Sequence, residues 1–115
     1  MFLNIVKNMP VIKKSSSTLT LINTFEVEPD KADILLKFLI DITNKTMRHM
    51  DGFISASFHK SIDGKYIANY AQWENKQAFL AMLKNEEAIE HMEKAKELCI
   101  SFSPVTYEVV HIEEI

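Results

Sequence analysis

The sequence predicts one α+β domain of the ferredoxin-like βαββαβ pattern, an antiparallel four-stranded sheet with its helices on one face. Three features point there. Four segments read as strands, two longer stretches repeat apolar residues at helical spacing, and the only two glycines, Gly52 and Gly64, fall at turns. A chain of 115 residues with 47% hydrophobic and 25% charged residues is compact and globular, not disordered or collagen-like. At this size it buries roughly two-thirds of the surface its unfolded form exposes, enough for one modest core. A sizeable ligand cavity must be carved from that core or shared with a partner chain.

Residues 1–17 end in Lys13-Lys14-Ser15-Ser16-Ser17 and read as a flexible leader or arm, with the folded domain over 18–115. Residues 18–27 alternate, placing Leu19, Leu21, Phe25 and Val27 on one face of a strand, with Asn23 as the polar exception on that face. Pro29-Asp30 offers a stop and an N-cap, and Ile34, Leu35, Phe38, Leu39, Ile42, Thr46 and His49 then follow helical spacing, so a helix is expected over about 30–49. Residues 53–60 and 65–73, joined through Asp63-Gly64, form a hairpin. A two-residue turn there sets Phe58 against Asn69, Ala56 against Ala71 and Ile54 against Trp73, with Ser57, His59, Tyr70 and Gln72 on the other face. Asn75 can cap a second helical stretch carrying Phe79, Met82, Leu83, Ile89 and Met92, with a break near Lys84-Asn85 and an end near Leu98. Pro104 introduces the last strand, expected over 105–112.

Helices on one side leave the other sheet face bare. That face carries Ile22, Tyr70 and either Val110 and Ile112 or Val105 and Val109, and a second copy of the chain is its simplest cover.

Composition excludes several functions. The net charge is −3 and the 13 basic residues are scattered, with no electrostatic footprint for nucleic acid. The apolar start is cut short by Lys7, Asn8 and Pro10, too early for a secretory or membrane-spanning segment, so a cytoplasmic protein is expected. A single cysteine, Cys99, reads as a core thiol in a reducing compartment. His49, His59, His91 and His111 lie on four different elements without zinc-type spacing, so no metal site is expected. Both glycines are in turns and no phosphate loop exists, so no nucleotide cofactor is expected. Glu86-Glu87 and Glu113-Glu114 read as solvated faces.

One constellation remains. Asn23 shares an apolar face with Asn69 and Trp73, which are four residues apart on a neighbouring strand, so two carboxamides and an indole point toward the helices. Amides converging in an apolar pocket can orient a carbonyl or hydroxyl of an aromatic ligand. Alternatively, Trp73 is core packing and the asparagines bind backbone groups.

From Leu21 to about Val110 the chain resembles the antibiotic biosynthesis monooxygenase (ABM) family. The resemblance lies in the strand from Leu21 to Val27 before Pro29, the stretch from Met47 ending Asp51-Gly52-Phe53, and His59-Lys60-Ser61-Ile62-Asp63-Gly64. It lies also in Asn69-Tyr70-Ala71-Gln72-Trp73, in Gln77-Ala78-Phe79, and in the closing run from Pro104 to Val110. It implies a dimeric α+β barrel, a homodimer closed through the sheet face, and oxygenase chemistry on a small aromatic substrate such as an anthrone or quinol with O2, without a cofactor.

In the polyketide branch of that family an Asn-x-x-x-Trp pair lines the pocket, and Asn69 and Trp73 match it. The resemblance therefore implies Asn69 and Trp73 as catalytic residues, with Asn23, Phe79, Met82 and His91 around the substrate. That branch also has a tyrosine six residues after the Trp and an arginine twenty after it, where this chain has Phe79 and Glu93. The haem-degrading branch has a first-strand Asn, matched by Asn23, but its second-helix Trp and its ligating His fall on Met82 and Met92, with His91 one residue away. A one-residue step turns a helical side chain by about 100°. The readings left are a cofactor-independent monooxygenase, a non-catalytic binding module of the same fold, and a haem-degrading enzyme.

Overall fold

The computed structural model describes residues 9–14 and 17–115. The elements run β1 (Leu19–Glu26), a 3-10 turn (Pro29–Lys31), α1 (Ala32–Lys45), a second 3-10 turn (Met47–His49), β2 (Phe53–Lys60), β3 (Tyr66–Trp73), α2 (Lys76–Leu83), α3 (Glu86–Glu97) and β4 (Ser101–Tyr107). The strands form one antiparallel sheet in the order β2-β3-β1-β4. This is the ferredoxin-like α+β arrangement that the pattern predicts.

Each element follows from local chemistry. In β1 Leu21, Asn23 and Phe25 are buried, as is Val27 just past its end, the alternation that the sequence carries. The first helix differs in detail from the expected span of 30–49. Pro29 starts a 3-10 turn that holds Asp30, and the α-helical part begins at Ala32 with no side-chain cap. A proline fixes φ at the first helical position and gives up no bonded N–H there, which suits such an entry. The break expected at Lys84-Asn85 is a second helix start: Asn75 Oδ1 accepts from Ala78 N at 2.8 Å and Asn85 Oδ1 accepts from Ala88 N at 3.0 Å.

Two expectations about strands are corrected. The last strand is Ser101–Tyr107, not 105–112, and Pro104 sits inside it opposite Asn23. β4 is an edge strand that pairs only with β1, so a proline can face its open side without breaking a ladder bond. This register sets Val105 beside Ile22 and resolves the choice for the outer face in favour of Val105. In the hairpin, Phe58↔Asn69 and Ala56↔Ala71 pair as expected, but an irregularity between Phe53 and Ser55 makes Phe53, not Ile54, the partner of Trp73. The extra residue of such a bulge leaves the ladder, and Ile54 is exposed.

The main core lies between the sheet and α1, where Leu35, Leu39 and Ile42 meet Phe25, Val27 and Ile67. A second cluster gathers Trp73, Met82 and Ala88. Cys99 is partly buried against the main core and unpaired, and burial raises its thiol pKa. Residues 9–14 are neither helix nor strand. Met9, Pro10, Val11 and Lys13 border a groove with Thr18, Ile54, Ser55 and Gln72. The rest of the expected leader, residues 1–8, 15 and 16, lies outside the described residues.

Candidate active site

Strand register builds the floor of a cavity between the sheet and the helices. Across the sheet, successive rows on the inner face read Phe53 and Trp73; then Ala56, Ala71 and Leu21; then Phe58, Asn69, Asn23 and Pro104; then Ile67, Phe25 and Phe102. The paired alanines keep the floor low between the Trp73 row and the asparagine row, and space remains above them. Helix residues Leu39, Ile42, Thr43, Met82, Met92, Ala95 and Lys96 close the cavity, with Met47 from the turn after α1. Its volume is about 80 Å³, below the ~150 Å³ of a dry cavity that admits benzene. Ring entry therefore needs side-chain movement. Met47, Met82 and Met92 supply it, because an unbranched thioether changes rotamer readily.

Asn23 and Asn69 stand directly opposite each other on β1 and β3. Cβ atoms in such a pair are roughly 4.5–5.5 Å apart, so one ligand oxygen, or two neighbouring ones, can meet both amides. Asn23 is 6% exposed and Trp73 2%. Neither Asn23 Oδ1, Asn69 Oδ1 nor the Trp73 indole N–H has a hydrogen-bond partner among the described residues. The alternative reading, in which the asparagines bind backbone groups, is thus not what these oxygens do. Leaving a buried polar atom unpaired costs roughly 1–3 kcal/mol, and three of them lining one apolar space fit a polar ligand. Trp73 is fixed by a T-shaped contact with Phe53, with ring centroids 5.4 Å apart at 89°.

The other sequence-predicted residues divide. Met82 lines the cavity. Phe79 packs against the Trp73 cluster but is not among the lining residues. His91 lies at the seam between α1 and α3: its Nε2 is 3.4 Å from Thr46 Oγ1 and 3.6 Å from Glu87 Oε1, and its ring meets Phe38 edge-on at 6.3 Å. Met92, one residue on, turns into the cavity instead, as the helical step requires. The Thr46 hydroxyl donates to Glu87 Oε1 at 2.7 Å and, with His91, holds the Glu87 carboxyl below the usual carboxylate range.

Sequence reasoning missed Lys96, Thr43 and Met47 as lining residues. Lys96 was legible: it lies one helical turn beyond Met92, on the same face. Among the described residues no cluster of three His, Cys, Asp or Glu side chains could hold a metal ion.

A four-stranded antiparallel sheet roofed by helices, with an apolar, amide-bearing pocket between them, defines the class as α+β and ferredoxin-like. Within that class the assignment is firm, because the antibiotic biosynthesis monooxygenase (ABM) profile matches residues 18–96, and the chain belongs to that family. It is 39% identical over 106 residues, 90% of this chain and 91% of the other, to the tetracenomycin-F1 monooxygenase of Streptomyces glaucescens. Its fold resembles that of the monooxygenase from the gene ActVA-Orf6 of Streptomyces coelicolor, solved in complex with nanaomycin D. That match has a TM-score of 0.79 at 25% identity and covers 86% of this chain and 93% of the other. The fold is also that of SnoaB, a cofactor-independent oxygenase from Streptomyces nogalater, with a TM-score of 0.69 at 15% identity over 84% of this chain and 97% of that one.

Proposed function

We propose that this ABM monooxygenase oxidises an electron-rich phenolic, quinol or anthrone-like substrate with O2 and without a cofactor. The observation that carries the reading is the opposed Asn23–Asn69 pair, with two unpartnered amide oxygens in the same apolar cavity as an unpartnered indole N–H. Such chemistry starts from a substrate that ionises and passes an electron to O2. For an anthrone the balance is one methylene and one O2 giving one carbonyl and one water. The protein supplies a dry pocket and hydrogen-bond donors aimed at the oxygen that gains charge. The unpartnered Asn23 and Asn69 oxygens accept from hydroxyl groups on the ring, the Asn69 amide N–H and the Trp73 indole N–H donate to the oxygen that gains charge, and Trp73 also forms the wall. The tetracenomycin-F1 and ActVA-Orf6 relatives support this substrate class.

Among the described residues no carboxylate or histidine lines the cavity, so the substrate's own acidity, not a side-chain base, sets the first proton loss. The haem reading is disfavoured by the donor set, because His91 faces Thr46 and Glu87 and Met92 occupies the cavity side of that helix. The unpaired Cys99 suits a cytoplasmic setting.

Oxygen uptake on a panel of anthrones and quinols, with and without chelator, tests the proposal. Uptake that leaves the chelator without effect and gives the quinone supports it. Binding of the same compounds without uptake replaces it with a non-catalytic binding module.

A further inference from the structure

Among the described residues, the lining of the cavity contains one charged side chain, Lys96, and no acidic one. Lys96 sits on the last turn of α3, with its Nζ 5.7 Å from the centre of the Phe102 ring. Phe102 pairs across strands with Phe25, which is two residues from Asn23 along β1. The ammonium thus stands beside the row next to the carboxamides, on the side away from Trp73, roughly 7 Å along the strand from them. Glu93 holds the ammonium at 3.0 Å and takes one of its three N–H donors. Phe102 flanks it, the Lys96 side chain is 48% exposed, and the remaining donors have no other hydrogen-bond partner among the described residues.

A neutral phenol in an otherwise apolar pocket needs no cation. An ionised one does, because a charge moved out of water without a partner is strongly disfavoured. Resting on the reading that the cavity takes an aromatic ring, we propose that Lys96 makes the site selective for anionic aromatic substrates, with the ring over Ala56 and Ala71 and an ionised oxygen against the Lys96 ammonium. Lys96 is then a specificity residue distinct from Asn69 and Trp73: it chooses the charge state, and the amides hold the reacting oxygen.

Trp73 is the only tryptophan and lies in the cavity wall, so its fluorescence reports occupancy of this site. The probes are anthraquinone-2-carboxylate and the neutral anthraquinone-2-carboxamide, titrated into the full chain at low salt. The expected result is tighter binding of the carboxylate by about fivefold, the upper range for a partly exposed charge pair. Lys96→Met should remove that preference, so that the carboxylate and the carboxamide bind alike, and Lys96→Glu should reverse it. Glu93→Gln should raise the preference, because it frees the ammonium from its competitor. Equal affinities in the unaltered protein, or a preference that survives Lys96→Met, would overturn the role of Lys96 while leaving the aromatic pocket standing. Failure of both probes to quench Trp73 would remove the pocket reading and this inference together.

Discussion

Asn23 and Asn69 can be weighed as stabilising or as functional residues, and the two roles predict different outcomes. Their Oδ1 atoms are buried and have no partner, so truncating Asn69 removes no internal hydrogen bond through that oxygen. Asn69→Ala is therefore expected to cost little stability, under about 1 kcal/mol, while loss of one donor to the charged oxygen slows turnover by about a hundredfold or more. Thermal melts and oxygen uptake on the same preparation separate the cases; a destabilised protein with undiminished turnover per folded molecule would make Asn69 a core residue. Trp73→Phe is the companion, keeping the aromatic wall and deleting the N–H. The pair was legible in the sequence because strand parity alone puts Asn23, Asn69 and Trp73 on one face. The direct opposition of Asn23 and Asn69 was not, since the β1–β3 register depends on tertiary pairing with no local turn to fix it. His91 shows the same limit on a helix: its period identifies the apolar side, but the packing of α3 against α1 decides that Met92 enters the cavity and His91 binds Thr46.

At the scale of elements, the position of Trp73 depends on how β2 begins. Gly52 has φ +83°, and a Cβ there would stand 2.4 Å from Ala78 Cβ at the start of α2. Its carbonyl accepts from Glu74 N at 2.8 Å, tying the end of β3 to the approach to β2. Gly52→Ala should thus cost roughly 1–3 kcal/mol in urea unfolding from the positive φ and the overlap. Adding Ala78→Gly should recover part of that loss, since it relieves the overlap but not the φ. The sequence announced this turn through Asp51-Gly52, but the irregularity at Ile54, beside the Phe53–Trp73 ring contact, has no sequence marker. Likewise, Pro104 read as a strand opener because a central strand would reject it, whereas an edge position accepts it.

The seam between α1 and α3 carries a pH-dependent contact. Glu87 titrates below its ordinary value because the ionised carboxylate accepts from Thr46 and sits beside His91. A carboxyl whose pKa is lower folded than unfolded contributes stability above its unfolded pKa and loses it as pH falls through the folded one. Carboxyl NMR titration should find Glu87 below the usual carboxylate range. Thr46→Val should return it upward and shrink the acid-side loss of stability; an unchanged titration would remove Thr46 as the cause.

For the whole molecule, the unsolved surface is the sheet face away from the helices. Ile22 and Tyr70 lie there partly buried beside Val105 at 41% and Tyr107 at 49% exposure. Thr20 and Gln72 on the same face are buried at 2% exposure, so the open part of it is the stretch with Val105 and Tyr107, whose cost a second copy would remove, and two sheets packing face to face is a standard solution. Met9, Pro10, Val11 and Lys13 border only the end near Ile54 and Gln72, leaving Ile22, Tyr70 and Val105 outside that groove. A dimer closed through this face must bury about 800 Å² per chain to be stable. Sedimentation at micromolar concentration should give twice the 13.3 kDa chain mass. Val105→Asp should convert it to monomer without unfolding it, because residue 105 is half open to solvent on an edge strand and tolerates charge in the single chain. The pocket lies on the opposite sheet face, so probe binding by the monomeric variant shows whether the cavity is complete in one chain. Retained binding with lost assembly places dimerisation outside the site, loss of both makes the partner part of the pocket, and a Val105→Asp protein that still sediments as a dimer removes this face as the interface.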